Sequence, residues 1–205
     1  MTSATRPKRV HKTKLALLET VLELRKSHPY EEITVEQVLE TSGVSRGSLY
    51  HHFSDFFELI ESAELARFTK YVDVSIEQIT QLVSAASSKT EVIQGIRQIT
   101  RLTQSPEMRP IRADRLAALV RAEGNSRFRE KLASEQERLT HALAELVRMA
   151  QSRGWFTTEV DPWQVAVFIQ AYTLGRAVDE ISNTEKDIES WNRLIDRVIE
   201  HAFMA

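Results

Sequence analysis

Residues 45–52 bring together side chains that can donate to phosphate and read the edge of a base. Arg46 carries a planar fork of donors that matches O6 and N7 of guanine, and Tyr50 and His51 have polar hydrogens suited to phosphate oxygens. Gly47 has no side chain, so the backbone there could approach a groove closely. These residues predict contacts with DNA. The alternatives are that Tyr50 is a packing aromatic and that Arg46 is an ordinary surface charge.

Two short helices joined by a tight turn would position these side chains. Thr34 and Gln37 have the spacing of a capping box, which begins a helix, and Gly43 is placed to end it. Ser45 is placed to cap the next helix. A turn of three or four residues that contains glycine is typical of a helix-turn-helix, whose second helix enters the major groove. Residues 33–53 therefore predict this motif.

The chain begins with a basic stretch. Residues 1–14 contain no acid. Their five cations are Arg6, Lys8, Arg9, Lys12 and Lys14. A basic segment that is poor in apolar residues is typically disordered until it meets a partner, most often phosphate. We therefore expect a flexible arm that reaches DNA through Arg6, Lys8 and Arg9, the alternative being a solubilising tail.

Composition predicts an all-α protein. Glycine and proline supply only 11 of the 205 residues, which leaves little material for the turns of a sandwich or barrel. The chain has no cysteine, so it has no disulfides, thiolate metal sites or thiol nucleophiles. The formal net charge is −2, and we find no apolar run of membrane-spanning length and no secretory signal. We expect a cytoplasmic protein of nine or ten helices without strands and without contact with a membrane.

Caps and apolar periodicity divide the chain into these helices. After the helix-turn-helix we expect one helix over about residues 54–70 and a separate one over 72–86. Further along, Asp161 followed by Pro162 and Gln164 combines an N-cap, a proline in the first turn and a capping-box glutamine. This is a strong start signal for a late helix.

The same signals divide the chain into three regions. We expect the flexible arm over residues 1–14, a three-helix DNA-binding domain over 15–56 and a larger helical domain over 57–205.

A specific motif, GVSRGSLYHHF, occupies residues 43–53 and is preceded by ITVEQV at residues 33–38. With the helix that contains Glu58 and Leu59, it resembles the TetR family of bacterial transcriptional regulators. The resemblance covers about residues 11–60, and the remaining chain is similar only in architecture. The motif is far more specific than a generic helix-turn-helix.

The resemblance implies a homodimer that reads DNA with its N-terminal heads and dimerises through residues 162–204. It points to these DNA contacts: Thr34, Ser45, Arg46, Ser48, Tyr50 and His51. The basic arm would lie beside the groove. One departure is Phe56, which stands where the family usually has a lysine. That departure puts a phosphate contact at this position in question, and we expect Phe56 and Phe57 to pack against the helical body instead.

The resemblance also implies a ligand cavity between helices of the larger domain. Such cavities are mostly apolar with a few polar groups. The candidate lining residues are Leu116, Leu119, Val120, His141, Phe168 and Tyr172, with Arg176 or Arg115 as a partner for an anion. The alternative is that these side chains belong to the core, since Phe168 and Tyr172 lie four residues apart on one helix face.

We expect a regulator that represses transcription from a near-palindromic operator and is released by a small molecule whose identity the sequence does not indicate. Two other classes stay open: a coactivator or adaptor that kept the fold but binds a protein, and an enzyme that uses the helical cavity. The sequence contains no P-loop, G-x-G-x-x-G or H-x-x-x-H motif. His51 and His52 are adjacent, so they point to different helix faces. We therefore expect no catalytic residue, cofactor or metal.

Overall fold

The computed structural model describes residues 6–184 and 187–203, without the side chains of residues 6–11 and of Val83. Within this part of the chain there are nine α-helices and no β-strand. The helices are Arg6–Leu24 (α1), Val35–Ser42 (α2), Arg46–His52 (α3), Phe56–Ala85 (α4), Lys89–Gln104 (α5), Arg109–Glu123 (α6), Ser126–Ser152 (α7), Pro162–Glu180 (α8) and Ile188–Phe203 (α9). The all-α prediction is confirmed.

The predicted caps of the helix-turn-helix are present. The backbone N–H of Gln37 donates to Oγ1 of Thr34 at 3.3 Å, and the N–H of Thr34 donates to Oε1 of Gln37 at 2.8 Å. Gly43 ends α2 with φ +65°, a left-handed conformation that glycine adopts without a Cβ clash. The N–H of Ser48 donates to Oγ of Ser45, the N-cap of α3, at 3.2 Å. These contacts set the start of each helix and the turn between them.

One apolar core holds the first helices together. Its buried members are Leu17, Val21, Tyr30, Ile33, Val38, Leu49, Phe53, Leu59, Ile60 and Ala63. Val38 of α2 and Leu49 of α3 are both fully buried in it. Burying an aliphatic side chain of this size contributes about 1.5–3 kcal/mol, so this core determines which faces of α2 and α3 stay outside.

Two helices run further than predicted. α1 begins at Arg6, so the predicted end of the flexible arm at residue 14 lies inside this helix. Pro7 is compatible with the helix start, because the backbone N–H groups of the first turn have no partner within the helix. The predicted break between residues 70 and 72 is wrong, because α4 is continuous over 30 residues. No glycine or proline occurs between residues 55 and 86, so nothing in the backbone stops the helix.

The chain forms two compact units, one up to Lys70 and one from Tyr71. We predicted the domain boundary at residue 56, but the first turns of α4 contribute Leu59, Ile60 and Ala63 to the core of the N-terminal unit. In the C-terminal unit α7 packs against α6 and α8, and α5 packs against α8 and α9. Among the described helices none is long and apolar enough to cross a membrane.

The predicted start of α8 is confirmed. Asp161 is the N-cap, and its Oδ1 accepts from the backbone N–H of Gln164 at 3.0 Å. Pro162 occupies the first turn, where its missing N–H leaves no bond unmade.

Candidate nucleic-acid interface and ligand cavity

The outer face of α3 is polar and exposed. Because Leu49 points into the core, the side chains of Arg46, Tyr50 and His51 lie toward solvent. Tyr50 is 45% exposed, which argues against a role as a packing aromatic. No acid lies in α3 itself. The structure thus brings the predicted base-reading and phosphate-binding groups together on one surface.

Arg46 has a partner that the sequence analysis missed. Its Nη2 donates to Oε1 of Glu36, near the start of α2, at 2.5 Å. This hydrogen bond lowers the pKa of the Glu36 carboxyl and raises the pKa of the Arg46 guanidinium. No local spacing rule links two residues on different helices, so only the packing of α2 and α3 against α1 places them together.

The predicted hydroxyl contacts already have roles in the helix caps. Oγ1 of Thr34 donates to Oε1 of Gln37 at 3.1 Å, and the hydroxyls of Ser45 and Ser48 lie 2.9 Å apart. Hydroxyl oxygens accept as well as donate, so these caps position the hydroxyls without excluding a phosphate.

Lys14 and two histidines lie at the far end of α3. The Lys14 Nζ is 5.4 Å from the centroid of the Phe53 ring. Burial, followed by the nearby His51 and Lys14, lowers the pKa of His52 below its usual value of 6.5, so His52 is mostly uncharged at pH 7. The positive charge at this edge therefore belongs to Lys14 rather than to His52.

Gly47 lies on the same outer surface with open space beside it. A methyl group built on its Cα would meet no atom within 4 Å. Nothing in the described part of the protein therefore requires a glycine here, although glycine within a helix costs up to about 1 kcal/mol relative to alanine.

Phe56 packs against the core of the N-terminal unit, whereas Phe57 is 73% exposed. We predicted that this pair packs against the helical body, but Phe56 packs against the N-terminal unit instead.

The predicted arm residues Arg6, Lys8 and Arg9 have their backbone in α1. Their side chains are outside the described part of the structure.

The C-terminal unit contains a small apolar cavity of about 50 Å³. Helices α4, α5, α7, α8 and α9 and the loop before α8 supply its walls. The lining residues are Ile79, Leu82, Ile96, Ile99, Thr100, Leu143, Leu146, Phe156, Val165, Ile169, Tyr172, Ile199 and Phe203. Thr100 and Tyr172 are the polar members, and their hydroxyl oxygens lie 3.0 Å apart. Burial raises the pKa of the Tyr172 hydroxyl, so it stays protonated.

Of the predicted lining residues, Tyr172 borders this cavity. Leu119 and Val120 are exposed, Val120 by 75%, and Leu116 of the same helix is half-buried outside the lining. His141 is exposed with its ring against Trp163. Phe168 contacts the rings of Tyr172 and Phe203 at tilted and edge-to-face angles, and it does not line the cavity. The periodicity of one helix does not indicate which of its faces meets a cavity whose walls come from five helices.

The two candidate anion partners already interact with other side chains. Arg176 is buried, 3.1 Å from Oδ2 of Asp179, and lies over the ring of Trp191. Arg115 donates to the Tyr71 hydroxyl at 3.0 Å, and its guanidinium lies over the Tyr71 ring. Neither borders the cavity. Within the described residues no three His, Asp or Glu side chains are grouped as metal ligands.

Residues 17–63 match the family model of the bacterial regulatory proteins of the tetR family. This range contains the capped helices, the Gly43 turn and the exposed face of α3. The N-terminal domain belongs to the TetR family. No curated protein matches the sequence.

Solved structures share this all-α fold over nearly the whole chain. A Mesorhizobium loti protein, provisionally assigned as a TetR-family transcriptional regulator, is 16% identical with a TM-score of 0.74, over 96% of this chain and 99% of its own. A provisionally assigned transcriptional regulator of Saccharomonospora viridis, solved with choline, is 16% identical with a TM-score of 0.70, over 95% and 99%. A TetR transcription regulator of Haloarcula marismortui is 13% identical with a TM-score of 0.71, over 95% and 100%. At these identities the likeness establishes the fold.

Proposed function

We propose that this TetR-family protein is a transcriptional repressor that binds a near-palindromic operator through α3 and leaves it when a small molecule binds the C-terminal unit. The observation that carries the proposal is the outward face of α3, where Arg46, Tyr50 and His51 are exposed. An N-terminal arginine on a recognition helix is placed to reach a guanine edge, while tyrosine and histidine suit phosphates.

We infer a homodimer through α8 and α9, and an exposed apolar stripe supports it. On α8 the exposed residues follow a helical spacing through Val167, Ala171 and Val178 to Ile181 just after the helix, and the half-buried Leu174 lies on the same stripe. Val178 and Ile181 are 77% and 83% exposed, which is costly for aliphatic side chains in water. A second copy would cover them and set two copies of α3 about 34–36 Å apart, one turn of B-DNA.

We infer that the effector is a neutral, largely apolar molecule with one hydrogen-bonding oxygen. The cavity lining contains no charged side chain, so a buried ion would lack a counter-charge there. The hydroxyl pair of Thr100 and Tyr172 shares one hydrogen between two oxygens, which leaves a second hydroxyl hydrogen to donate to a ligand.

The size of the cavity connects binding to a change of conformation. At about 50 Å³ it is far smaller than the roughly 300–1,000 Å³ of typical ligand sites. An effector must therefore select a state in which the surrounding helices stand further apart. A ligand shifts such an equilibrium only by its differential affinity for the two states, and a repressor of this kind would lose the matched spacing of its two α3 helices.

The DNA-binding part is tested by selecting genomic fragments with the purified protein. We expect one enriched near-palindrome whose affinity falls steeply with salt, because phosphate contacts release counterions. If no palindrome is enriched at any salt concentration, the proposal fails.

The effector part is tested by thermal shift with 1-hexanol, hexanoate and choline as probes. We expect stabilisation by the neutral alcohol and none by the two ions. Tyr172→Phe removes one hydroxyl from the cavity and should reduce the alcohol's effect, whereas Tyr50→Phe, a matched change on α3, should not. Stabilisation by hexanoate or choline that equals that by hexanol would contradict the proposed class.

A further inference from the structure

We propose that Glu36 is a positioning residue for DNA specificity: it holds Arg46 for guanine and disfavours the binding of phosphates at this site. The inference rests on the proposed function, because it requires α3 to be the helix that reads DNA.

Short-range contacts position Glu36. It lies in the first turn of α2, whose start is set by the capping box of Thr34 and Gln37. Arg46 is the first residue of α3, whose start is set by Ser45. The two side chains therefore project from two anchored helix starts, and Nη2 of Arg46 donates to Oε1 of Glu36 at 2.5 Å.

The pair lies on the surface that would face DNA. The side chain of Glu36 is 72% exposed and that of Arg46 is 54% exposed. An exposed ion pair of this kind contributes little to folding stability, so its position on α2 is better explained by binding.

The guanidinium can serve two partners at once. It has five N–H donors in a planar fork, and the bond to Glu36 uses Nη2. A guanine edge is neutral and accepts two hydrogen bonds, so the remaining donors can meet it while the carboxylate keeps the group in place.

A phosphate is a different partner for the same fork. It carries a negative charge, and the Glu36 carboxylate beside Arg46 would repel it. On arbitrary DNA, where Arg46 could gain only phosphate contacts, Glu36 therefore weakens binding. On the operator the guanine contact carries no such cost, so the ratio of specific to non-specific affinity rises.

The test compares Glu36→Gln with Glu40→Gln. Both changes remove one carboxylate from exposed positions of α2, but only Glu36 contacts Arg46. Affinities are measured by fluorescence anisotropy for the operator and for a scrambled duplex over a range of salt. We expect Glu36→Gln to tighten binding to the scrambled duplex by roughly two- to fivefold, the range that an exposed charge pair supports. Operator affinity should stay nearly unchanged, because the amide oxygen of glutamine can still accept from Arg46 and hold it in place. Glu40→Gln should change both affinities by the same factor.

A double-mutant cycle with Arg46→Ala shows whether Glu36 acts through Arg46. In the Arg46→Ala background, Glu36→Gln should no longer change the specificity ratio. An unchanged ratio in the wild-type background, or an equal change in the Arg46→Ala background, overturns the role of Glu36 while leaving the proposed function intact. A wild-type protein that prefers no duplex overturns both.

Discussion

Gly47 and Gly95 both lie within helices, one in each compact unit, and the space beside them differs. A methyl group on Gly47 of α3 would meet nothing within 4 Å, whereas one on Gly95 of α5 would overlap Cδ1 of Leu82. Gly95 is thus explained by the close approach of α4, and Gly47 has no such reason within the part of the chain that the structure describes. The space beside Gly47 is open, as expected for a surface that meets a partner, whereas the space beside Gly95 is filled by a side chain of the same unit.

The largest effect is expected from the core beneath α3. Leu49→Ala should lower the free energy of unfolding of the N-terminal unit by about 2–5 kcal/mol, because it removes a fully buried side chain. Denaturant unfolding measures this change. Leu15→Ala, an exposed leucine on α1, should change stability by less than about 0.5 kcal/mol. Equal losses from the two variants would mean that Leu49 does not hold α3 in place.

Arg46→Ala should weaken operator binding by about 1–3 kcal/mol per half-site, because one bidentate base contact is lost. The loss should be confined to one base pair, so a panel of operators with single substitutions measures it. Arg129→Ala, an exposed arginine of the C-terminal unit, is the control and should leave operator affinity unchanged. Equal weakening on every duplex would instead assign Arg46 to a phosphate.

Gly95→Ala should destabilise the C-terminal unit by up to about 2 kcal/mol. Overpacking costs about 1–3 kcal/mol, and the better helix propensity of alanine returns up to about 1 kcal/mol. Leu82 also lines the cavity, so its displacement should weaken stabilisation by 1-hexanol. Thermal and denaturant unfolding with and without the alcohol measure both effects. An increase in stability would show that Leu82 moves away without cost.

The same change at Gly47 should have the smallest effect and the opposite sign. Gly47→Ala should raise the free energy of unfolding by about 0.5–1 kcal/mol through helix propensity, since no atom is displaced. Operator affinity should fall, because the added methyl group separates α3 from the groove. Unfolding curves and anisotropy titrations on the same sample measure the two changes. Unchanged operator affinity would show that DNA does not approach Gly47 closely.

The predictions from sequence were most accurate where neighbouring residues decide the outcome. The capping box of Thr34 and Gln37, the left-handed Gly43 and the start of α8 at Pro162 all depend on residues within a few positions of each other. The break predicted near residue 70 was wrong because it relied on apolar periodicity alone. Without a glycine or proline, the backbone of α4 has no reason to stop.

The sequence by itself determined the helical fold, the helix-turn-helix and the family of its N-terminal domain, because capping, glycine conformation and a dense local motif act over a few residues. Tertiary structure decided what those elements meet. It placed Glu36 against Arg46 across two helices, and it formed the cavity from side chains up to 124 positions apart, Ile79 and Phe203 among them. Such neighbours depend on how helices pack, and the periodicity of one helix does not specify which face of another it will meet.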